Sequence, residues 1–257
     1  MIYPIKILEV FSVIRSIYLK IWNLVKTRPW RLLGISLLSV LIVALATGLT
    51  AGVPLFGLVI GALIDTAMAV VYLKGIHGED FVVEDIFAGF RDWDSAKRIL
   101  GGVGWAWLWI FLWCLIPIVG PIFGIIRSYE YRLVPFILMK EPEVGIKDAR
   151  LVSKERTAGY KGKMFAADVL WIIGGLVVMA ILTGLSGLRF VGWIFLLVNV
   201  VFIVAFVLCS EFILGLVKAG FYDVIQAGPK EEKHCPTCGT VVNEGDAFCS
   251  ACGTKIE

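Results

Sequence analysis

The chain has 257 residues, 59% hydrophobic and 18% charged, with a net charge of +3 and a mean hydropathy of +0.87. Soluble domains run at about 45–50% apolar and about 25% charged, so this is a membrane composition and an ordinary soluble domain is excluded. With His77 and His234 as the only histidines, histidine-based catalysis has little to work with.

Residues 1–31 carry six Lys/Arg and no uncharged central stretch, so no cleaved signal peptide is expected. Ile7, Phe11, Ile14, Tyr18, Ile21 and Val25 recur at alternating spacings of four and three, which is one face of a helix. With Lys6, Arg15, Lys20 and Lys26 elsewhere, this suits a helix lying along the membrane surface. A coil packed on another subunit is the alternative.

Three apolar runs follow. Leu32 to Leu73 holds one charge, Asp65; Ile99 to Ile126 holds none; Val169 to Glu211 holds Arg189 before its end. About 20 apolar residues cross a hydrocarbon core of about 30 Å. The expectation is therefore an all-α fold, a six-helix transmembrane bundle of three hairpins joined by amphipathic helices. Its spans fall at about 32–49, 55–73, 99–117, 121–139, 164–184 and 190–217, within a membrane domain of 32–223. Gly and Pro mark the reversals at 50–54 and 118–121. The fourth span contains Arg127, Glu130 and Arg132, and a segment that dips in and out without crossing is the competing reading.

Segments 1–31, 74–98, 140–163 and 218–257 hold six, four, seven and four Lys/Arg, whereas the three outer turns share Arg189 alone. Short cytoplasmic loops are enriched in these residues. The expectation is a plasma-membrane protein with both termini cytoplasmic, which requires an even number of spans. A basic, partly apolar stretch precedes each hairpin and ends at Arg31, Arg98 and Lys163, which are 67 and 65 residues apart. That spacing predicts three copies of an amphipathic helix followed by a hairpin.

A charge at the bilayer centre costs about 2.5–3.5 kcal/mol on insertion scales. Asp65, Arg127, Glu130 and Arg132 therefore form a candidate intramembrane polar site. They read either as a ligand or ion pathway or as interhelical pairs that lock the bundle. Arg127 and Glu130, three apart, share one helix face. Asp65 calls for a partner from span four, while Glu211 can snorkel or pair with Lys218. Cys114 and Cys209 read as small packing residues. Neither GGVG at 101–104 nor GLSG at 184–187 completes a phosphate loop or a serine-hydrolase elbow. No catalytic residues and no enzyme are expected.

After a linker at 224–232, residues 233–257 contain Cys235, Cys238, Cys249 and Cys252 as C-x2-C-x10-C-x2-C. Each pair heads a knuckle, CPTCG or CSACG, whose glycine lets backbone N–H groups turn toward the sulfurs. This resembles a zinc ribbon, with Thr240–Val242 and Ala247–Phe248 as short strands around the turn 243–246. So short a piece cannot build an adequate core, and one structural zinc ion would have to fold it. Four thiolates leave no position for water. Two disulfides would need an oxidising compartment; His234 is the alternative ligand. Residues 230–257 carry three lysines against five carboxylates, a net −2, so nucleic acid is not an expected partner.

The segment at 129–165 supplies a wider resemblance. Tyr131, Val134-Pro135-Phe136-Ile137-Leu138, Ser153, Gly159 to Lys163 and Phe165, with Gly89-Phe90 upstream, are similar to the pattern of an uncharacterised prokaryotic multi-pass membrane family, domain of unknown function 975. The resemblance implies membrane location and six spans and carries no known activity. The family's Ile-Pro-Gly after the third span is here Ile116-Pro117-Ile118-Val119-Gly120. The leading expectation is a membrane protein in contact with the lipid bilayer that presents a cytoplasmic zinc ribbon to a protein partner or a second copy. A small-molecule or ion transporter using the buried charges is the alternative.

Overall fold

A computed structural model describes residues 3–49, 54–188, 192–228, 233–234, 237–238, 241–242, 248 and 251–255. The chain divides into two units, Met1–Asp223 and Val224–Glu257. The first is helical: α1 (Tyr3–Thr27), α2 (Pro29–Leu49), α3 (Pro54–His77), a 3-10 helix (Val83–Phe90), α4 (Trp93–Cys114), α5 (Gly120–Glu130), α6 (Val134–Lys140), α7 (Asp148–Arg156), α8 (Lys161–Ser186) and α9 (Gly192–Gln226). The second contains β1 (Lys233–His234) and β2 (Val241–Val242).

Local chemistry sets the boundaries. Pro29 opens α2, where a missing N–H costs nothing. Asp92 caps α4 by accepting from Ser95 N–H at 2.6 Å and Ser95 Oγ at 2.8 Å. Gly78, at φ 75°, ends α3 in the left-handed region.

Four helices among the described residues are long and apolar enough to cross a membrane: Pro29–Leu49, Phe56–His77, Lys161–Ser186 and Gly192–Gln226. The expected fourth span, 121–139, is corrected to two short helices. Pro135 lacks an N–H, and its ring would clash with the Tyr131 carbonyl in a continuous helix, so α5 stops at Glu130 and α6 restarts at Val134. With 11 residues rising 1.5 Å each, α5 reaches about 16 Å, roughly half a hydrocarbon core. Its partner α4 is longer, but polar side chains lie beside its middle. The Arg150 guanidinium sits 4.9 Å from the Trp109 ring and the Lys147 ammonium 5.8 Å from Trp105. The α4–α5 hairpin is therefore expected to enter a bilayer less deeply than α2–α3 and α8–α9. A cysteine placed at Ile118, 92% exposed between α4 and α5, is expected to resist a membrane-impermeant thiol reagent applied from the side of the 187–191 turn. One placed at Gly187 is expected to react. Equal labelling of both would restore a full third hairpin.

Polar contacts gather at one end of the unit. Lys20 of α1 and His77 of α3 both meet Asp223 of α9, at 2.7 and 2.8 Å. Arg98 donates to the carbonyls of Leu138, Glu141 and Pro142, holding α6 against α4. Burial alone would raise the Asp85 carboxyl, but hydrogen bonds from Lys74 at 2.8 Å and Val82 N–H at 3.0 Å outweigh it and hold Asp85 below the usual carboxylate range. The core lies at this end, in residues such as Ile17, Ile64, Val71, Phe136 and Phe221. Beyond it the helices expose Leu45, Phe56, Ile122, Ile181, Leu197 and Val201, a surface suited to lipid rather than water.

The amphipathic α1 buries Ile14, Ile17, Ile21 and Leu24. This stripe is rotated from the expected face, since Phe11 is exposed. Tyr18 is half-buried because its hydroxyl donates to the Ala167 carbonyl at 3.0 Å. Packing on α8 and α9 chose the face. The 3-10 helix and α7 occupy the places before α4 and α8 where the spacing predicted two further amphipathic pieces.

Candidate functional site

The break between α5 and α6 frees backbone groups, and α7 satisfies them. Ser153 Oγ donates to the Glu130 carbonyl at 2.7 Å and accepts from Leu133 N–H at 3.2 Å. Thr157 Oγ1 donates to the same carbonyl at 3.3 Å. Ser153 and Thr157 are both fully buried, as groups with satisfied hydrogen bonds can be. The Glu130 carboxylate accepts from Arg127 and, at 2.6 Å, from Lys161 of α8. Arg132 makes a two-pronged pair with Asp168 of α8, at 2.6 and 2.9 Å, and Tyr129 donates to the same carboxylate at 2.9 Å.

Below these pairs lies a cavity of about 730 Å³ bounded by α2, α3, α4, α5–α6, α8 and α9. Its charged walls are Asp65, Arg132, Asp168, Glu211 and Lys218. Asp65, Glu211 and Lys218 all expose their side chains, and none forms an ion pair with another described residue. Ser36 and Tyr72 hydroxyls lie 3.3 Å apart on the wall between α2 and α3. Valines and alanines of α2, Trp107 and Ile110 of α4 and Leu208 of α9 make the rest largely apolar. At Gly215 of α9 the missing side chain admits the Tyr72 ring, which a methyl group would meet at clashing distance. That close approach positions α9 against α3.

The four intramembrane candidates therefore separate. Asp65 and Arg132 line the cavity, whereas Arg127 and Glu130 do not. Asp65 finds no ion-pair partner in α5 or the turn after it, where Glu130 is taken by Arg127 and Lys161 and Arg132 by Asp168. Glu211 and Lys218 do not pair with each other. Lys161 and Asp168 complete the arrangement from α8. Asp168 is legible in the sequence only as an acid near a helix start, a position with an ordinary explanation, and no local signal singles out Lys161.

In the second unit, β1 pairs antiparallel with β2, placing Lys233 opposite Val242 and His234 opposite Val241. Phe248 bridges Lys255 in the same sense. These pairings flank residues 235–240 and 249–254, and in the sequence each of these stretches carries a C-x2-C at the same positions. The expected strands at 240–242 and 247–248 are corrected accordingly: Val241–Val242 pairs back across its own knuckle and Phe248 across the other. Thr240, Ala247 and the turn 243–246 lie outside the described residues, as do Cys235 and Cys249. Gly253 follows Cys252 at φ 73°, as a tight knuckle requires. Cys252 Sγ lies 3.2 Å from Thr254 Oγ1. By the chemistry of the donor set, Cys235, Cys238, Cys249 and Cys252 would suit a tetrahedral zinc ion, and of these Cys238 and Cys252 are among the described residues.

Residues 234–256 match the zinc-ribbon domain. No curated protein and no solved structure matches the chain.

Proposed function

We propose that this membrane protein with a zinc ribbon uses its helices as an anchor and its ribbon as a cytoplasmic docking module for a protein partner or a second copy. The observation that carries the reading is the zinc-ribbon match at 234–256, with an exposed apolar Phe248, 61% accessible, on a segment of net charge −2. Such a surface favours protein contact over phosphate contact. One zinc held by four sulfurs is closed to water and serves structure rather than reaction. Four crossings in place of six keep the parity even, and the basic inner loops direct both termini to the cytoplasm, where thiols stay reduced. The motif at 129–165 supports kinship with the domain of unknown function 975, and Ser153 within it supplies the hydrogen bonds at the α5–α6 break. We assign no catalytic residue.

A photo-crosslinking amino acid at Phe248 in the full-length chain, in native membranes, is the test. The expected result is a discrete crosslinked species that disappears when Cys238 and Cys252 are replaced by Ser. A product of twice the chain mass identifies self-association. Crosslinks to nucleic acid, or none while the ribbon holds zinc, would overturn the reading.

Transport is the second reading, and the cavity favours it: accessible charges within a helical membrane unit mark substrate or ion pathways. Flux into proteoliposomes that is abolished by Asp65→Asn, with the ribbon deleted, would establish it.

A further inference from the structure

The cavity has a volume of about 730 Å³, within the roughly 300–1,000 Å³ of sites that enclose small organic ligands. Its charge is unbalanced. Arg132 and Asp168 neutralise each other through two hydrogen bonds. Asp65 and Glu211 then face the single cation Lys218, leaving one net negative charge. Transfer of a proton from Lys218 to Asp65 leaves that sum unchanged. A membrane-embedded charge without a counterion is costly, so this space is stabilised by a bound proton or by a guest that carries one positive charge and displaces it. The apolar walls from α2, α4 and α9 demand that the rest of the guest be lipophilic, and Tyr72 and Trp107 add aromatic residues to the lining.

We propose that the cavity binds lipophilic monocations, protonated or quaternary amines with an apolar body, using Asp65 and Glu211 as the opposing charges. This deepens the transport reading by naming its substrate class, yet occupancy can be measured without flux. Tetraphenylphosphonium and tetraphenylborate share one shape and differ in the sign of their charge, so they isolate the electrostatic claim.

The experiment is equilibrium dialysis of each radiolabelled ion against the full-length protein in neutral detergent. Saturable binding of tetraphenylphosphonium is expected, with tetraphenylborate at least tenfold weaker. Asp65→Asn and Glu211→Gln should each weaken the phosphonium at least tenfold. Lys218→Gln should tighten it, a gain that misfolding cannot produce. Equal or preferred binding of tetraphenylborate, or phosphonium affinity indifferent to all three substitutions, would overturn the proposal. Binding that obeys these rules while proteoliposome flux is absent leaves the site standing and ends the transport reading. Flux of another solute without phosphonium binding does the reverse.

Discussion

Removing zinc with a strong chelator is expected to unfold residues 233–257 while the helical unit stays intact. Described strands in that segment are two residues long, and Phe248, its one aromatic residue, is exposed. Burial therefore cannot offset the conformational entropy of ordering so short a chain. Zinc ligation supplies about 10–16 kcal/mol in comparable modules. The full-length protein should release one zinc ion per chain, and trypsin should then cut at Lys233 and Lys255 much faster. Helical circular dichroism should barely change, because the helices lie elsewhere. Cys238→Ser should reproduce the protease sensitivity without chelator. A segment that stays protease-resistant and metal-free would refute a metal-folded ribbon and favour disulfides.

Replacing Arg132 by Met is expected to be the most destabilising single change in the helical unit, by about 3–5 kcal/mol. The side chains of Arg132 and Asp168 are 7% and 13% exposed, and removing one partner strands a buried charge. The pair also ties the turn after α5 to α8, so its loss loosens the junction that Ser153 and Thr157 complete. The thermal unfolding midpoint in detergent should fall sharply for Arg132→Met. The double variant Arg132→Met/Asp168→Leu should recover most of that loss, because it removes both charges. A single variant as stable as the parent would show that the charge is solvated from the cavity. Failure of the double variant to recover would place the stabilisation in shape rather than charge.

The α5–α6 break shows why part of the architecture was hidden. Hydropathy reads 121–139 as a plausible span because its apolar residues outnumber Arg127, Glu130 and Arg132. Pro135 and the three charges were visible, but the compensating groups lay 23 to 36 residues downstream. Ser153, Thr157, Lys161 and Asp168 become partners of this turn only through packing of α7 and α8. A similar limit applies to α1, where periodicity predicted a helix and tertiary contact selected the buried stripe.

The membrane character of the chain, its long apolar helices and the thiol pattern of its tail were determined by the sequence alone. These depend on composition and short-range spacing, which a linear reading captures in full. Tertiary structure decided that 121–139 divides into two short helices, that Arg132 belongs to Asp168, and that Asp65, Glu211 and Lys218 face a common cavity. The reason is distance along the chain: Asp65 and Glu211 are nearly 150 residues apart in the sequence, and no local pattern records which helix faces meet when a bundle closes.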